Sequence, residues 1–336
     1  MNIAVVGAGA WGTALAIAFC SRHRVVLWTR EREVTRAMRE ARQNTLYLPG
    51  FPFPESLRIE DDIDVAVADA DLLLLATPLI GFRSTLHRLR ENGQRRGARL
   101  PLPPLLWVCK GLEAQTAKLP HQIVAEELGE GARYGVLTGP SFAEEVARGL
   151  PTAVTLAAND GEFARQMAVE LHSPRLRIYA NDDLPGAEVG GAVKNVMAIA
   201  AGICDGLGFG YNSRAGLITR GLAEIARLGV ALGGRAETFM GLAGMGDLVL
   251  TCTGDLSRNR QVGLALAAGK KLPQILADLG HVAEGVSTAR EVALLANAMG
   301  IDMPITQAVN AVLHHDMPAQ DAVEQLLNRD PKIESL

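Results

Sequence analysis

Lys194 is the single charged group in a long run of apolar and small residues, Gly190-Gly-Ala-Val-Lys194-Asn195-Val-Met-Ala-Ile-Ala-Ala-Gly-Ile. A lysine in such surroundings either runs its stem out to water or sits in a polar cavity. In the second case desolvation lowers its pKa and suits it to moving a proton near neutrality. Asn195 beside it offers both donors and an acceptor. Asp247 follows a glycine-rich stretch, Gly241-Leu-Ala-Gly-Met-Gly246. Alone it reads as a cap or turn residue; close to Lys194 it would hold the ammonium in place. Ser257-Arg258-Asn259-Arg260 gathers two guanidiniums and two polar side chains, a set that suits a phosphate because arginine can grip it with two parallel hydrogen bonds. The same four residues also read as a polar helix start capped by Ser257, and the two readings are compatible.

A second set of residues needs no charge. Ile3–Val6 has the pattern of a buried strand and runs into Gly7-x-Gly9-x-x-Gly12, which opens an alanine-rich helix. Gly7 permits the tight turn, Gly9 lets backbone approach a pyrophosphate, and Gly12 lets the helix lie close on the strand. The helix N-terminus then presents free N–H groups and its positive dipole end to the phosphates. Dinucleotide binding follows from this context rather than from the glycines alone. The residue after the second strand reads the adenosine ribose, where an acidic side chain selects NAD. Here Trp28 is followed by Thr29-Arg30-Glu31-Arg32. Thr29 and Arg30 are not acidic, and Arg30 with Arg32 can pair with a 2′-phosphate, so NADPH is favoured over NADH; a one-residue shift in register would instead turn Glu31 inward.

These residues need elements to hold them. Strands are expected at Ile3–Val6, Arg24–Trp28, Leu72–Ala76, Leu105–Cys109, Tyr134–Leu137 and Ala153–Ala157, with helices at Thr13–Ser21 and Glu31–Arg42 between the first of them. Lys110-Gly111 and Thr138-Gly139-Pro140-Ser141-Phe142-Ala143 fall at strand ends, where open α/β sheets place ligands. After about residue 185 the strand signal stops, and helical spacing covers 190–205, 213–232, 260–268, 272–279, 285–299, 305–314 and 318–327. The expectation is an α/β Rossmann-type doubly wound sheet in residues 1–185 and an all-α domain in residues 186–336.

Composition narrows the class. With 336 residues, 48% hydrophobic and 21% charged, the chain has material for two packed domains and no disorder signature. Aromatics are only 4% against 35 glycines, so the interior should be aliphatic with close helix contacts. The small-residue helices suit a homodimer interface and internal packing equally well. A net charge of −4 argues against a nucleic-acid partner. Cys20, Cys109, Cys204 and Cys252 are scattered, form no CxxC and read as reduced, buried thiols of a cytoplasmic protein. The histidines have no metal-ligand spacing, so no metal is expected, and His314-His315 reads as a helix surface. No run points to stable membrane insertion, and the apolar N-terminus lacks the basic start of a signal peptide. Six arginines in residues 83–99 and Pro101-Leu-Pro-Pro104 read as a solvated helix and a stiff loop, with no role assigned.

The ordered motifs together resemble the bacterial NAD(P)-dependent glycerol-3-phosphate dehydrogenase family. They are Gly-Ala-Gly-Ala-Trp-Gly-Thr-Ala-Leu-Ala at 7–16, Cys-Lys-Gly-Leu-Glu at 109–113, Gly-Pro-Ser-Phe-Ala-Glu-Glu-Val-Ala at 139–147, Gly-Ala-Val-Lys-Asn-Val at 191–196, Gly-Met-Gly-Asp-Leu at 244–248 and Ser-Arg-Asn-Arg at 257–260, with Val-Ala-Glu-Gly-Val at 282–286 extending them. The resemblance implies a substrate cleft between the two domains and reduction of dihydroxyacetone phosphate to sn-glycerol 3-phosphate, which feeds glycerophospholipid synthesis. It implies Lys194 as proton donor and acceptor, with Lys110, Asn195 and Asp247 around the carbonyl. Arg258 and Asn259 would bind the substrate phosphate, and Gly139, Ser141 and Ser257 would add polar contacts. Ala10, Trp11, Arg30, Ala143, Val282 and Glu284 would touch the cofactor, with Lys110 and Arg258 also reaching it. Ala10 departs from the pattern, since relatives often carry a hydroxyl or amide there. A related β-hydroxyacid dehydrogenase shares the Lys-Asn pair, but Ser-Arg-Asn-Arg and Gly-Pro-Ser-Phe point away from it. A nucleotide sensor without turnover would have no use for the proton donor.

Overall fold

The computed structural model describes residues 1–95, 102–129, 131–279 and 283–330. The chain divides into two compact units, the first made of Met1–Cys109 and His121–Leu184, the second of Lys110–Pro120 and Pro185–Leu336.

The first unit is built on an eight-stranded sheet. In chain order its elements are β1 (Asn2–Val6), α1 (Ala10–Phe19), β2 (Arg24–Trp28), α2 (Arg32–Ala41), β3 (Gln43–Asn44), β4 (Leu48–Pro52), β5 (Arg58–Glu60), α3 (Ile63–Ala66), β6 (Leu72–Leu75), α4 (Phe82–Arg95), β7 (Leu105–Trp107), α5 (Pro120–Leu128), β8 (Tyr134–Thr138), α6 (Ala143–Ala147), β9 (Thr152–Ala158), α7 (Gly161–Leu171) and β10 (Leu176–Asn181). The strand order is β10-β9-β8-β7-β6-β1-β2-β5, and β3–β4 form a separate antiparallel pair. Val5 of β1 sits opposite Leu27 on one side and Leu74 on the other, all fully buried, as a parallel sheet covered on both faces requires. The alternation breaks once: β8 and β9 pair antiparallel, with Val136 opposite Ala157. Strand β10 was not expected, because only every second residue at its start is buried and Arg177 and Tyr179 face outward from this edge. Helix α1 begins at Ala10, three residues before the expected Thr13. Gly9 is extended, its carbonyl accepts from Thr13 N at 2.9 Å, and the helix starts on the fingerprint itself. Arg83 and Arg90 of the basic stretch pair with Glu126 and Glu127, and Arg88 lies over the Trp28 ring; Arg96, Arg99 and Pro101 fall outside the described residues.

Among the described residues the regular elements of the second unit are all helical: α8 (Leu184–Gly206), α9 (Gly210–Ala231), α10 (Ala236–Phe239), a π turn over Leu242–Gly246, α11 (Asp247–Thr253), α12 (Arg258–Ala267), α13 (Leu272–Leu279), α14 (Glu284–Met299), α15 (Pro304–His314) and α16 (Ala319–Leu327). Residues 110–119 enter it as loop and turn. Helix α8 is long and apolar enough to cross a membrane, but its apolar window lies wholly inside the unit, as the central helix of a core does. Glycines let its neighbours touch its backbone. A Cβ on Gly202 would stand 2.1 Å from the Arg260 carbonyl oxygen, and one on Gly263 would stand 2.1 Å from that of Ile199. The small residues of α8 and α12 are thus used in internal packing. Leu112 and Leu119 belong to this core. Three thiols are buried as expected, whereas Cys20 is half-buried, and all four cysteines are free. His314 is also half-buried and bonds the Val286 carbonyl at 2.9 Å, so the expected surface histidine pair is half right: only His315 is exposed.

Candidate active site

The chemistry of the second unit converges on Asp247. Its position follows from close backbone contact: a Cβ on Gly190 would lie 2.4 Å from the Ala243 carbonyl oxygen, and one on Gly244 would lie 2.2 Å from that of Phe239. Residues 243–244 therefore pass directly over α8 at Gly190, and Asp247 opens α11 beside Lys194. Lys194 is 6% exposed and Asp247 1%. Lys194 Nζ donates to Asp247 Oδ1 and, at 2.8 Å, to Thr251 Oγ1. Lys110 Nζ donates to the other carboxylate oxygen at 2.5 Å. Thr251 sits one turn after Asp247 and returns its hydroxyl proton to the Asp247 carbonyl at 2.6 Å.

With both lysines protonated, two ammonium groups share one buried carboxylate, and the cluster carries one excess positive charge. Burial lowers the Lys194 pKa to about 7; Asp247 opposes the fall and the Lys110 cation adds to it. An amine with that pKa can give or take a proton near neutrality, and the cluster's charge favours an oxyanion beside it. Lys194 is thus buried on polar partners, Asp247 and Thr251, rather than reaching water. Thr251 was missed in the sequence, although its i+4 spacing from Asp247 was a usable signal.

The Ser257–Arg260 segment behaves unevenly. Ser257 caps α12, accepting from Arg260 N at 3.3 Å. The two-arginine grip is overturned for Arg260: its guanidinium is tied to Asp205 at 2.8 and 3.0 Å and to Asp255 at 2.9 Å, so it fastens α12 to α8. Arg258 is exposed and has no ion pair within 4 Å among the described residues. Asn259 is buried, and its Oδ1 accepts from Gly285 N at 3.0 Å. A Cβ on Gly285 would stand 2.7 Å from both Asn259 Oδ1 and the Asn195 carbonyl, so Asn195, Asn259 and the start of α14 meet. Glu284 in that first turn is half-buried, and burial pushes its carboxyl up while Arg258 pulls it down. Val282 lies outside the described residues.

In the first unit the fingerprint loop is fixed by sterics. Gly7 has φ +122°, and a Cβ there would lie 2.6 Å from the Ala76 carbonyl carbon. A Cβ on Gly12 would lie 2.1 Å from the Gly7 oxygen. At Gly9 a Cβ would meet nothing within 4 Å, and the helix N-terminus follows at Ala10. An open approach to free N–H groups, bare of side chain, fits a dinucleotide pyrophosphate. Ala10, Trp11 and Ala143 come together around Ala14 and Val146. Gly139 takes φ +130°, and Ser141 donates to its carbonyl at 3.1 Å. Arg30 is exposed just beyond β2, Thr29 is buried, and Glu31 is exposed rather than turned inward.

A sheet with this loop, joined in one chain to a helical unit that buries a lysine–carboxylate pair, defines a dehydrogenase of the nicotinamide dinucleotide class. Models of the N-terminus and C-terminus of NAD-dependent glycerol-3-phosphate dehydrogenase match residues 2–164 and 183–324. The chain belongs to that family. It is 63% identical over 334 residues to glycerol-3-phosphate dehydrogenase [NAD(P)+] of Dechloromonas aromatica, covering 99% of each chain. Against the protein of that name from Aromatoleum aromaticum it is 62% identical over 335 residues, covering 99% of this chain and 100% of the other. The crystal structure of glycerol-3-phosphate dehydrogenase from Coxiella burnetii superposes with a TM-score of 0.91 at 42% identity, covering 98% and 99% of the two chains.

Proposed function

We infer that this protein is an NAD(P)-dependent glycerol-3-phosphate dehydrogenase that interconverts dihydroxyacetone phosphate and sn-glycerol 3-phosphate. The observation that carries the reading is the buried Asp247 carboxylate held by both Lys194 and Lys110. NAD(P)H, when bound, supplies the hydride to the ketone carbon. As that carbon is reduced, negative charge grows on its oxygen. The Lys194 ammonium, held by Asp247 and Thr251, stabilises the charge and gives its proton to the oxygen. Lys110 supplies a second fixed cation, and in the reverse direction neutral Lys194 takes the hydroxyl proton. Arg258, Ser257 and Asn259 are assigned to the substrate phosphate, so that binding energy remote from the reacting carbon serves orientation. Asn195, Gly139 and Ser141 are assigned to further polar contacts.

The cofactor is assigned to Gly7, Gly9, Ala10, Trp11 and Gly12 at the loop, Arg30 at the ribose, and Ala143, Lys110, Arg258, Val282 and Glu284 beyond it. NADPH is the favoured form, supported by the absence of an acidic residue at positions 29 and 30. The reading includes a cytoplasmic location, no membrane insertion and supply of glycerol phosphate for lipid synthesis; a homodimer is part of it, to be tested by light scattering. The deciding assay follows absorbance of NADPH and of NADH with purified protein and dihydroxyacetone phosphate. Loss of absorbance that depends on the phosphorylated ketone supports the reading, and tight NADPH binding without turnover of that ketone overturns it.

A further inference from the structure

The buried side chain that best explains how the fingerprint loop is aimed is Asn44, which the cofactor assignment does not use. Asn44 is 0% exposed and lies on β3, 36 residues from the loop it touches. Its Nδ2 donates to the Ala8 carbonyl at 2.8 Å and to Thr13 Oγ1 at 2.9 Å. Its Oδ1 accepts from Tyr47 N at 3.0 Å. Carbonyl oxygen only accepts and amide N–H only donates, so the orientation of the amide is fixed by its partners. Thr13 Oγ1 makes a second, longer contact to the same Ala8 oxygen at 3.4 Å.

The peptide joining Ala8 to Gly9 is planar, with its C=O and N–H pointing in opposite directions. Anchoring the Ala8 oxygen on the Asn44 side therefore turns the Gly9 N–H away from Asn44, at a residue whose missing side chain leaves open space at the start of α1. We propose that Asn44 is a positioning residue for the dinucleotide: by holding the Ala8 carbonyl it aims the Gly9 N–H at the pyrophosphate. This rests on the cofactor reading above.

The test is direct NADPH binding by fluorescence, alongside steady-state kinetics and melting temperature, on wild type and Asn44→Asp. Aspartate keeps the acceptor for Tyr47 N but loses both donors and sets an oxygen against the Ala8 oxygen. The expected result is an NADPH Kd raised about tenfold or more, the cost of leaving a buried acceptor unmatched. kcat at saturating NADPH and the KM for dihydroxyacetone phosphate should change less than about twofold, a split that general loosening of the fold would not produce. Thr13→Val, which removes the neighbouring hydroxyl, should raise the Kd by a smaller factor, and it is read in the same assays if Asn44→Asp does not fold. An unchanged Kd in a folded Asn44→Asp, or in Thr13→Val when the first variant is lost, overturns the proposal. A wild type that fails to bind NADPH overturns the cofactor reading instead.

Discussion

The fingerprint loop and the lysine–aspartate cluster solve opposite problems. In the loop, function depends on side chains that are missing. Gly7 and Gly12 have backbone where a Cβ would be, and Gly9 has open space. The three glycines lie within six consecutive residues, although the backbone that bars a Cβ at Gly7 belongs to Ala76. The cluster depends on side chains that are costly to bury, drawn from Lys110, Lys194, Asp247 and Thr251, with 53 and 137 residues between the paired partners. A loop of this kind fails by steric clash when anything is added. A cluster of this kind fails chemically when a charge is removed, even if the fold holds.

The sharpest way to break that contrast is at Lys194. Lys194→Ala is expected to lower kcat about a thousandfold or more, the scale of a lost general acid together with its charge. Asp247 keeps Lys110 as its partner, so the variant should stay folded and bind NADPH within about twofold of wild type. Turnover above a tenth of the wild-type rate would remove Lys194 from the proton transfer.

The loop should respond in the reverse manner. Gly12→Ala drives a Cβ to 2.1 Å from the Gly7 oxygen and 2.7 Å from the Ala76 Cβ. Overpacking of that kind costs about 1–3 kcal/mol or more, so the melting temperature should drop by several degrees and NADPH affinity by at least tenfold. Gly9→Ala should leave the melting temperature nearly unchanged and weaken NADPH alone, because its Cβ meets only open space. Equal melting losses at the two positions would mean the loop is not divided into packed and approach glycines.

This division also explains what could be read in the sequence. The loop, β1, β2 and β6 are local: spacing and apolar runs state them directly. Lys194 was visible as a charge in an apolar helix and Asp247 as its partner if the two lay close, but that closeness was not, because it is set by the passage of residues 243–244 over Gly190. Arg260 was misread for a related reason. Composition shows two guanidiniums, and only the fold shows that Asp205 already occupies one. Strand β10 was hidden by the outward-facing polar residues of an edge, and the antiparallel turn of β9 leaves no local mark at all.

A pH profile sharpens the cluster side. The proposed role has Lys194, whose pKa burial lowers to about 7, donate a proton during ketone reduction and accept one during alcohol oxidation. Reduction needs the ammonium, so kcat should be level below about pH 7 and fall toward tenfold per unit above it. Oxidation needs the free amine, so its kcat should rise to about pH 7 and then level off. Stopped-flow rates in both directions test this, and profiles moving in the same direction would show that a different group titrates. Lys110→Ala removes the neighbouring cation that helps lower Lys194, so both limbs should move to higher pH.

The smallest effect belongs at the rim of the first unit, where the contrast is mildest because side chain and loop cooperate. Arg30 is exposed just after β2, beside buried Thr29 and ahead of Glu31. A carboxylate at this place would accept from a ribose 2′-hydroxyl and repel a 2′-phosphate; a guanidinium does the reverse. An exposed charge-assisted contact is screened, so its loss in Arg30→Ala should lower kcat/KM for NADPH about tenfold or less and leave the NADH value within about twofold. Raising the salt concentration should shrink the NADPH advantage of the wild type but leave the variant nearly flat, which separates a charge effect from a change in loop shape. If the NADPH-to-NADH ratio is the same in both proteins at low salt, the discriminating group is not Arg30, and Arg32 becomes the side chain to replace next.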